Sequence, residues 1–515
     1  MNNSKRVILN SFILYSKIII TMSISLISVP MILNALGKSD YGLYNLVAGI
    51  IFMLSFLNAS MSVTTQRYLS VAIGENSIKK LNDIYNTSLI LHLIIGIVIV
   101  LFFEIASLFI FNGFLNIPNE RICATKIVYQ FIVLSTFLTI ISVPFSALIN
   151  AKENMLVFSI IGIIDSLLKL LLAFYLTKSS YDRLIVYGAG MAVISFVGVL
   201  FNFVYVKIKY QEFTINVRRY FNKNYFYKMF GFASWNTLGA IAVIGRNQGV
   251  AIIFNLFCGT VANAAYAIAN QINGVLGYFS STFQKSLNPQ LMQSEGIKDR
   301  ERLIRLSIIS SKYSVWVLSL FAVPLIIEMP YVLKLWIKNV PEYTIKLSQF
   351  VLIFAIVYQY SVGIMSAIQA IGKIKRYFII ISILIIFNLP ICYYILKIGA
   401  PLYYCIIVFI IIEIISLNVR LFMANKLVGI KFGEFLRKVV KPTFLNILLG
   451  IIFVLPFHCL LQESFLRLLF VGGLYLIIYF VFAYYFVFDS NIKSMIISIK
   501  YRLKRKIKAI IMLSK

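Results

Sequence analysis

The sequence predicts an all-α membrane protein with about 14 transmembrane helices, and two observations support this class. Of the 515 residues, 60% are apolar and only 13% are charged, whereas a soluble domain is nearer half apolar and a quarter charged. Apolar runs also repeatedly reach the roughly 20 residues that a helix needs to cross a hydrocarbon layer of about 30 Å. Because backbone polar groups in lipid must be satisfied internally, each long run should be helical.

The apolar runs follow one another along almost the whole chain. Short connections separate the first span from the second and the seventh from the eighth. The first span follows Lys5 and Arg6 but is longer than a signal-peptide core, so we interpret it as an uncleaved helix. The predicted spans are 8–33, 41–63, 86–111, 127–149, 155–177, 184–206, 229–257, 261–284, 307–330, 346–370, 377–396, 401–424, 443–461 and 466–488.

The basic residues alternate between the two sets of connections. One set, with both termini, carries 34 Lys and Arg, and the other set carries 10, when residues near span ends are counted with the adjacent connection. Short basic loops stay in the cytoplasm, so both termini should be cytoplasmic. The net charge of +30 is therefore mainly a topology signal, and we expect no nucleic-acid partner because no basic soluble domain is present.

An internal repeat relates the two halves of the chain. ILNALGKSDYGLYNL at 32–46 resembles IFNLFCGTVANAAYAI at 253–268, so that Asn34 matches Asn255 and, after one insertion, Gly37 matches Gly259. Further matches are Tyr44 with Tyr266, Gln66 with Gln284, Arg67 with Lys285 and Leu69 with Leu287. The offset spans six helices, and an even number makes the halves parallel. Transporters use such repeats, with substrate bound between the halves.

The repeated segments also carry a family resemblance. ILNALGKSDYGLYNL, the QRYLS segment at 66–70, and FASWNTLGAIAVIGRNQGVAIIF at 232–254 resemble the polysaccharide-transport or O-antigen flippases. These flippases belong to the multidrug/oligosaccharidyl-lipid/polysaccharide (MOP) exporter superfamily. The two helices after the twelfth span add to the resemblance.

The resemblance implies two six-helix lobes in a V around a central cavity, as in MATE-like transporters. The lobes would be 1–222 and 223–424, with accessory helices at 425–488 and a cytoplasmic tail at 489–515. It implies translocation of an undecaprenyl-pyrophosphate-linked oligosaccharide, such as an O-antigen unit of lipopolysaccharide, across the inner membrane by alternating access. Membrane lipids and other polysaccharide assembly proteins would be its partners.

Cations inside the predicted helices are candidates for pyrophosphate binding. A charge at membrane depth is costly and usually faces a cavity or a partner. Lys17 and Arg246 lie in repeat-equivalent helices, so two cations could face each other across the cavity. Asp165 and Lys169 share a helix face, which favours an internal ion pair over roles in ion coupling and phosphate binding.

Carboxylates inside the helices are the candidates for ion coupling. Glu104 and Glu413 have no charged partner nearby in sequence, so either could couple transport to a gradient of H⁺ or Na⁺. Lys312 and Glu328 lie near span ends and are expected to snorkel to the interface. The sequence contains no recognisable cofactor or metal motif, and we expect no cofactor.

Polar residues mark one face of the eighth span. Asn263, Tyr266, Asn270, Asn273 and Gly277 follow a spacing of three and four residues and share one face. Amides there could bind sugar hydroxyls or make interhelical hydrogen bonds, and the sequence leaves both open. Further polar candidates in neighbouring spans are Asn247, Gln248, Asn255, Gln359 and Tyr360.

Two alternatives to the flippase remain, and the tail adds a separate prediction. The first alternative is an ion-coupled multidrug exporter of the same superfamily, which should have carboxylates dominating its cavity. The second is a membrane polysaccharide polymerase, which would need a sizeable outer loop or domain. In the tail, isoleucines and leucines recur at helical spacing opposite Lys and Arg, which predicts an amphipathic helix on the anionic leaflet.

Overall fold

A computed structural model describes residues 3–52, 55–111, 117–337, 339–490, 493–494 and 497, and most of the predicted tail lies outside these ranges. All regular structure in the described ranges is helical. The first half contains α1 Asn3–Phe52, α2 Ser55–Gly74, α3 Ile78–Phe109, α4 Ile122–Ala151, α5 Met155–Lys178, α6 Arg183–Lys209, α7 Val217–Tyr220 and α8 Lys223–Gly296. The second half contains α9 Arg300–Ile327, α10 Met329–Ile337, α11 Thr344–Ile371, α12 Lys375–Ile386, α13 Asn388–Lys397, α14 Tyr403–Val428, α15 Phe432–Phe435, α16 Lys441–Leu460 and α17 Phe465–Phe486.

Two helices are too long for a single crossing and bend at a glycine. A straight helix of 50 residues, the length of α1, would extend about 75 Å, more than twice the hydrocarbon thickness. In α1, Gly37 has φ 77° and ψ 166°, and in α8, Gly259 has φ 69° and ψ −164°. The rings of Phe254 and Tyr266 on either side of Gly259 lie 5.3 Å apart, so the chain reverses direction there. Glycine permits these positive φ angles without a Cβ clash.

The glycine bends account for the predicted number of spans. In the described ranges, 12 helices are long and apolar enough to cross a membrane. Two of these 12 carry the bends, so the chain supplies 14 helical segments. The predicted breaks at 33/41 and 257/261 fall on Gly37 and Gly259, and the predicted fold class is confirmed. We call α1–α6 the first lobe and α8–α14 the second lobe.

Ion pairs that include buried charges connect α9 and the residue that follows it to the last two long helices and the residues just after them. Glu328 is fully buried and pairs with Arg467 at 2.8 Å and with Nδ1 of His458 at 2.8 Å. Lys312, also buried, pairs with Asp489 at 2.6 Å. The expectation that Lys312 and Glu328 snorkel is therefore wrong. Partners on α16, on α17 and just after α17 satisfy them within the protein.

Candidate functional site: the cavity between the two lobes

The two lobes have separate cores at the end of the molecule that carries Gly37 and Gly259. One apolar cluster there contains only residues between 31 and 191, and the other only residues between 250 and 409. At the opposite end the clusters join the lobes: Tyr68 and Val71 of α2 pack on the second lobe. The lobes therefore pack together at one end, which we call the closed end, and have separate cores at the glycine end, which we call the open end.

Arg67 joins the lobes at the closed end. Its Nε donates to the Gln369 carbonyl at 2.7 Å, and its Nη2 donates to the Ala370 carbonyl at 2.9 Å. The guanidinium also lies 5.0 Å from the centroid of the Phe232 ring. The last carbonyls of a helix have no partner within the helix. An arginine from α2 of the first lobe thus satisfies the free carbonyls at the C-terminal end of α11 in the second.

The backbones of α2 and α8 also approach closely at the closed end. A Cβ on Gly74 would lie 2.3 Å from the carbonyl oxygen of Gln293, and one on Gly296 would lie 2.1 Å from that of Val71. Nε2 of Gln293 donates to the Ala151 carbonyl at 2.9 Å. Only glycine leaves room for this contact, so residue size fixes how tightly this end can close.

Two lysines from different lobes flank one aromatic ring above the closed end. Nζ of Lys17 lies 4.3 Å from the centroid of Phe158, and Nζ of Lys285 lies 5.8 Å from the same centroid. Lys17 packs on Gly162, where a Cβ would lie 2.3 Å from its Cε. The hydroxyl of Tyr15 donates to the Phe279 carbonyl at 2.9 Å and connects the same helices. Two like charges across the boundary between the lobes form a site suited to a dense anion.

Asp165 and Lys169 form the ion pair that their spacing predicts. Their charged atoms are 2.8 Å apart, and both side chains are about 40% exposed. Lys17 also interacts electrostatically with Asp165. The pair therefore lies next to the two lysines that flank Phe158. The ammonium group of Lys169 contacts Asp165 on the same helix.

Arg246 lies inside the second lobe and not opposite Lys17. It is 8% exposed, donates to Oδ1 of Asn247 at 2.9 Å from Nη2, and stacks on Phe354 and Phe409 at 5.1 and 4.6 Å. Lys17 precedes its bend glycine by 20 residues and Arg246 precedes Gly259 by 13, a difference of about 10 Å along a helix. The structure does not bring the two predicted cations together.

Glu413 belongs to a buried network with a cation that sequence reasoning missed. It forms an ion pair with Arg420 and accepts a hydrogen bond from Ser361 at 2.9 Å. Arg420 also donates to the hydroxyls of Ser361 at 2.9 Å and Tyr377 at 3.3 Å. The expectation that Glu413 has no charged partner nearby is wrong, because residues seven apart on a helix share a face.

The polar residues of the eighth span are divided between the lobe interior and an open cleft. Tyr266 is buried against Phe254, and its carbonyl accepts from Nδ2 of Asn270 at 3.0 Å. Asn255 and Asn263 line a cleft of about 260 Å³ near the open end. The buried Oδ1 of Asn263 has no hydrogen-bond partner in the described part of the chain. Asn273 is half-buried.

Two further predicted residues hold neighbouring helices together. The amide oxygen of Gln359 accepts from the Ser280 hydroxyl and from Nε2 of Gln284, the latter at 3.4 Å. Glu104 accepts from Nε2 of Gln130 at 3.2 Å and lines an apolar cleft of about 330 Å³ between α3 and α4. These contacts agree with the interhelical alternative for Gln359.

Lys285 and Arg67 are the main site residues that sequence reasoning did not select. The repeat matched them to each other, which was the available signal. Both were assigned to the connections that follow the second and eighth spans, but α2 and α8 continue well beyond the apolar runs. Arg420 was missed because it lies near the end of a predicted span, where a cation usually reaches the interface.

Comparisons with known proteins identify a family and a fold. A family model described as "Polysaccharide biosynthesis protein" matches residues 7–295, more than half of the chain. No curated protein matches.

Solved structures of MOP superfamily transporters have the same fold. An outward-facing multidrug resistance MATE family transporter is 15% identical with a TM-score of 0.69, covering 83% of this chain and 96% of its own. A MOP superfamily transporter from Pyrococcus furiosus, described as having a binding pocket of reverse polarity, gives the same four values. A mutant of the Vibrio cholerae MATE transporter VcmN is 16% identical with a TM-score of 0.66, covering 84% and 98%.

Proposed function

The chain belongs to the family of polysaccharide biosynthesis proteins, and from this premise we propose that it is a flippase for an undecaprenyl-pyrophosphate-linked oligosaccharide. The family and the fold together identify a membrane transporter of the MOP superfamily and not an enzyme. The O-antigen or other surface polysaccharide unit is the proposed cargo, and the inner membrane is the proposed location.

The pair of lysines around Phe158 carries the proposal. A lipid pyrophosphate is a compact anion with several charges, and Lys and Arg are its natural ligands. Lys17 comes from the first lobe and Lys285 from the second, so one anion could bridge both. An anion that bridges the lobes stabilises the state in which the lysines converge, because ligands shift equilibria only by differential contacts.

The other predicted site residues have proposed roles beside the two lysines. Lys169 could exchange Asp165 for phosphate, since both side chains of the pair are about 40% exposed. Arg246 would bind pyrophosphate only after the guanidinium leaves Asn247. The amides of Asn255, Asn263 and Asn273 would bind sugar hydroxyls from the second lobe. The sugar would thereby cross in an aqueous cleft and avoid the cost of about 4–8 kcal/mol for each unpaired polar group in hydrocarbon.

The basic connections support a proposed orientation of the molecule in the membrane. The closed end carries the connections that hold most of the Lys and Arg, which favours a cytoplasmic location for it and for both termini. The cavity would then open outward. Single cysteines introduced at positions 40, 180, 340 and 462 should react with an impermeant reagent added outside. Protection of the last two would contradict the predicted topology of the second half of the chain.

The flippase is tested with a fluorescent pyrophosphate-linked oligosaccharide lipid in proteoliposomes. An impermeant quencher added outside measures how much of the lipid has crossed. We expect the double variant Lys17→Ala, Lys285→Ala to lose at least tenfold in rate while its melting temperature is unchanged. A matched control removes two exposed lysines, Lys207→Ala with Lys209→Ala, and should transport normally. Equal rates for both double variants would refute the lysine site.

An ion-coupled multidrug exporter is the second candidate, and the fold of the multidrug transporter above favours it. Its coupling carboxylate would be Asp165, Glu104 or Glu413. Each of the three has a partner in the structure: Lys169, Gln130 and Arg420 respectively. Efflux of a cationic dye that follows an imposed H⁺ or Na⁺ gradient, without any movement of lipid-linked sugar, would favour this candidate.

A further inference from the structure

A large pocket lies outside the cavity, at the closed end of the second lobe. It has a volume of about 760 Å³, within the range of small-molecule sites. Its walls come from the first turns of α8, the connection between α11 and α12, and the last turns of α14. Tyr68 is its lining residue from the first lobe.

The charge of this pocket is entirely positive. Five cations line it and no carboxylate does, and each of the five is exposed. None of them forms an ion pair with the described part of the chain, unlike Arg67 or Arg420, which are held by protein groups. The five are Lys228, Lys373, Lys375, Arg376 and Lys426.

Aromatic and apolar side chains form the rest of the wall. Nζ of Lys375 lies 5.4 Å from the centroid of the Trp235 ring. Beside the pocket, Nζ of Lys426 lies 4.4 Å from the centroid of Phe422. Tyr227 and Phe422 are each 61% exposed on the outside of the bundle. Trp and Tyr rings beside Lys and Arg are typical of the membrane–water interface.

The pocket has the depth of a lipid headgroup. Lys228 and Trp235 both line it, and seven residues of helix extend about 10 Å. One end therefore lies at the membrane face, and the other reaches toward acyl-chain depth. A soluble anion would use the cations and leave the rings without a partner.

We propose that this pocket binds an anionic glycerophospholipid, with its phosphate headgroup held by the five cations and its acyl chains extending past Trp235 and Phe422. The lipid is a resident ligand separate from the cargo, so the proposal does not rest on the proposed function. The basic end of the molecule faces the leaflet where anionic lipids concentrate if the topology above holds.

Brominated lipids test the site, because bromine quenches a nearby tryptophan. The full-length protein is reconstituted in phosphatidylcholine with brominated phosphatidylglycerol or with brominated phosphatidylcholine. The emission of Trp235 is obtained by subtracting the emission of the Trp235→Phe variant from that of the wild type. We expect the apparent affinity from Trp235 quenching to be about tenfold higher for brominated phosphatidylglycerol than for brominated phosphatidylcholine. Each basic residue near an anionic lipid adds to the attraction.

Two triple variants separate the pocket from general basic charge. Lys375→Gln, Arg376→Gln, Lys426→Gln should reduce the preference to near unity. The control Lys207→Gln, Lys209→Gln, Arg218→Gln removes the same charge from the same end and should retain it. Equal quenching by both lipids in the wild type, or an unchanged preference in the first triple variant, would overturn the proposal. Loss of the preference on adding 1 mM inorganic pyrophosphate would also overturn it, by assigning the pocket to a free phosphate.

Discussion

Charge is placed inside the helix bundle in two ways, one shown by the Lys17–Lys285 pair and the other by Arg420. Arg420 is 1% exposed and has a carboxylate and two hydroxyls as partners. Lys17 and Lys285 share only the face of an aromatic ring and lie across the boundary between the lobes. A cation with complete partners holds helices together, whereas two incompletely paired cations are available to a ligand.

Arg420→Ala should produce the largest effect on stability. Removing one partner of a buried pair leaves Glu413 without compensation, which costs about 3–5 kcal/mol. The free energy of unfolding or the melting temperature in detergent measures this loss. The double variant Glu413→Ala, Arg420→Ala should recover part of it. An Arg420→Ala variant as stable as the wild type would show that the pair does not stabilise the fold.

Substitution of Arg246 should affect transport more than stability. Arg246→Ala and Arg246→Glu should stop surface glycan display at normal protein levels, and Arg246→Lys should keep part of it, because charge survives while bidentate geometry does not. Membrane abundance serves as the control. Wild-type display from a well-expressed Arg246→Glu variant would remove this residue from the transport pathway.

Arg67→Ala should loosen the closed end without unfolding the lobes. Hydrogen bonds from a charged donor contribute about 1.5–3 kcal/mol each, and this variant loses two of them. Distances between spin labels on α2 and α11 should broaden toward larger values in the variant, with Arg67→Lys intermediate. An unchanged distribution would show that the contact of α2 with α8 closes this end alone.

Lys169→Ala should have the smallest effect on stability. Its pair with Asp165 is about 40% exposed, and exposed pairs contribute at most about 1 kcal/mol. The variant Asp165→Ala, Lys169→Ala separates a structural role from a functional one: normal glycan display from it means that the pair does not bind cargo. A large drop in melting temperature for Lys169→Ala alone would contradict the exposure argument.

Sequence reasoning predicted the fold well because hydropathy and backbone satisfaction act locally. Each apolar run must be a helix whatever surrounds it, and the short connections predicted at 33/41 and 257/261 contain the bend residues Gly37 and Gly259. The site was harder to predict because it depends on which helices meet. Arg67 and Lys285 were assigned to loops, since α2 and α8 extend as polar helices beyond the bilayer core. Gln359 and Glu413 have no evident partner in the sequence. The partners of Gln359, Ser280 and Gln284, are remote along the chain, and Arg420 lies two turns beyond Glu413.

The way Arg67 closes its end of the cavity has a consequence for how freely this part of the chain can vary. Gln369 and Ala370 contribute only main-chain carbonyls to Arg67, and any residue type supplies a carbonyl. Gly74 and Gly296 contribute the absence of a side chain, which no other residue type supplies. A saturation library should therefore accept many replacements at 369, which is half-buried, and reject nearly all at 74 and 296. Tolerance to substitution at the closed end would depend on backbone geometry and not on side-chain chemistry.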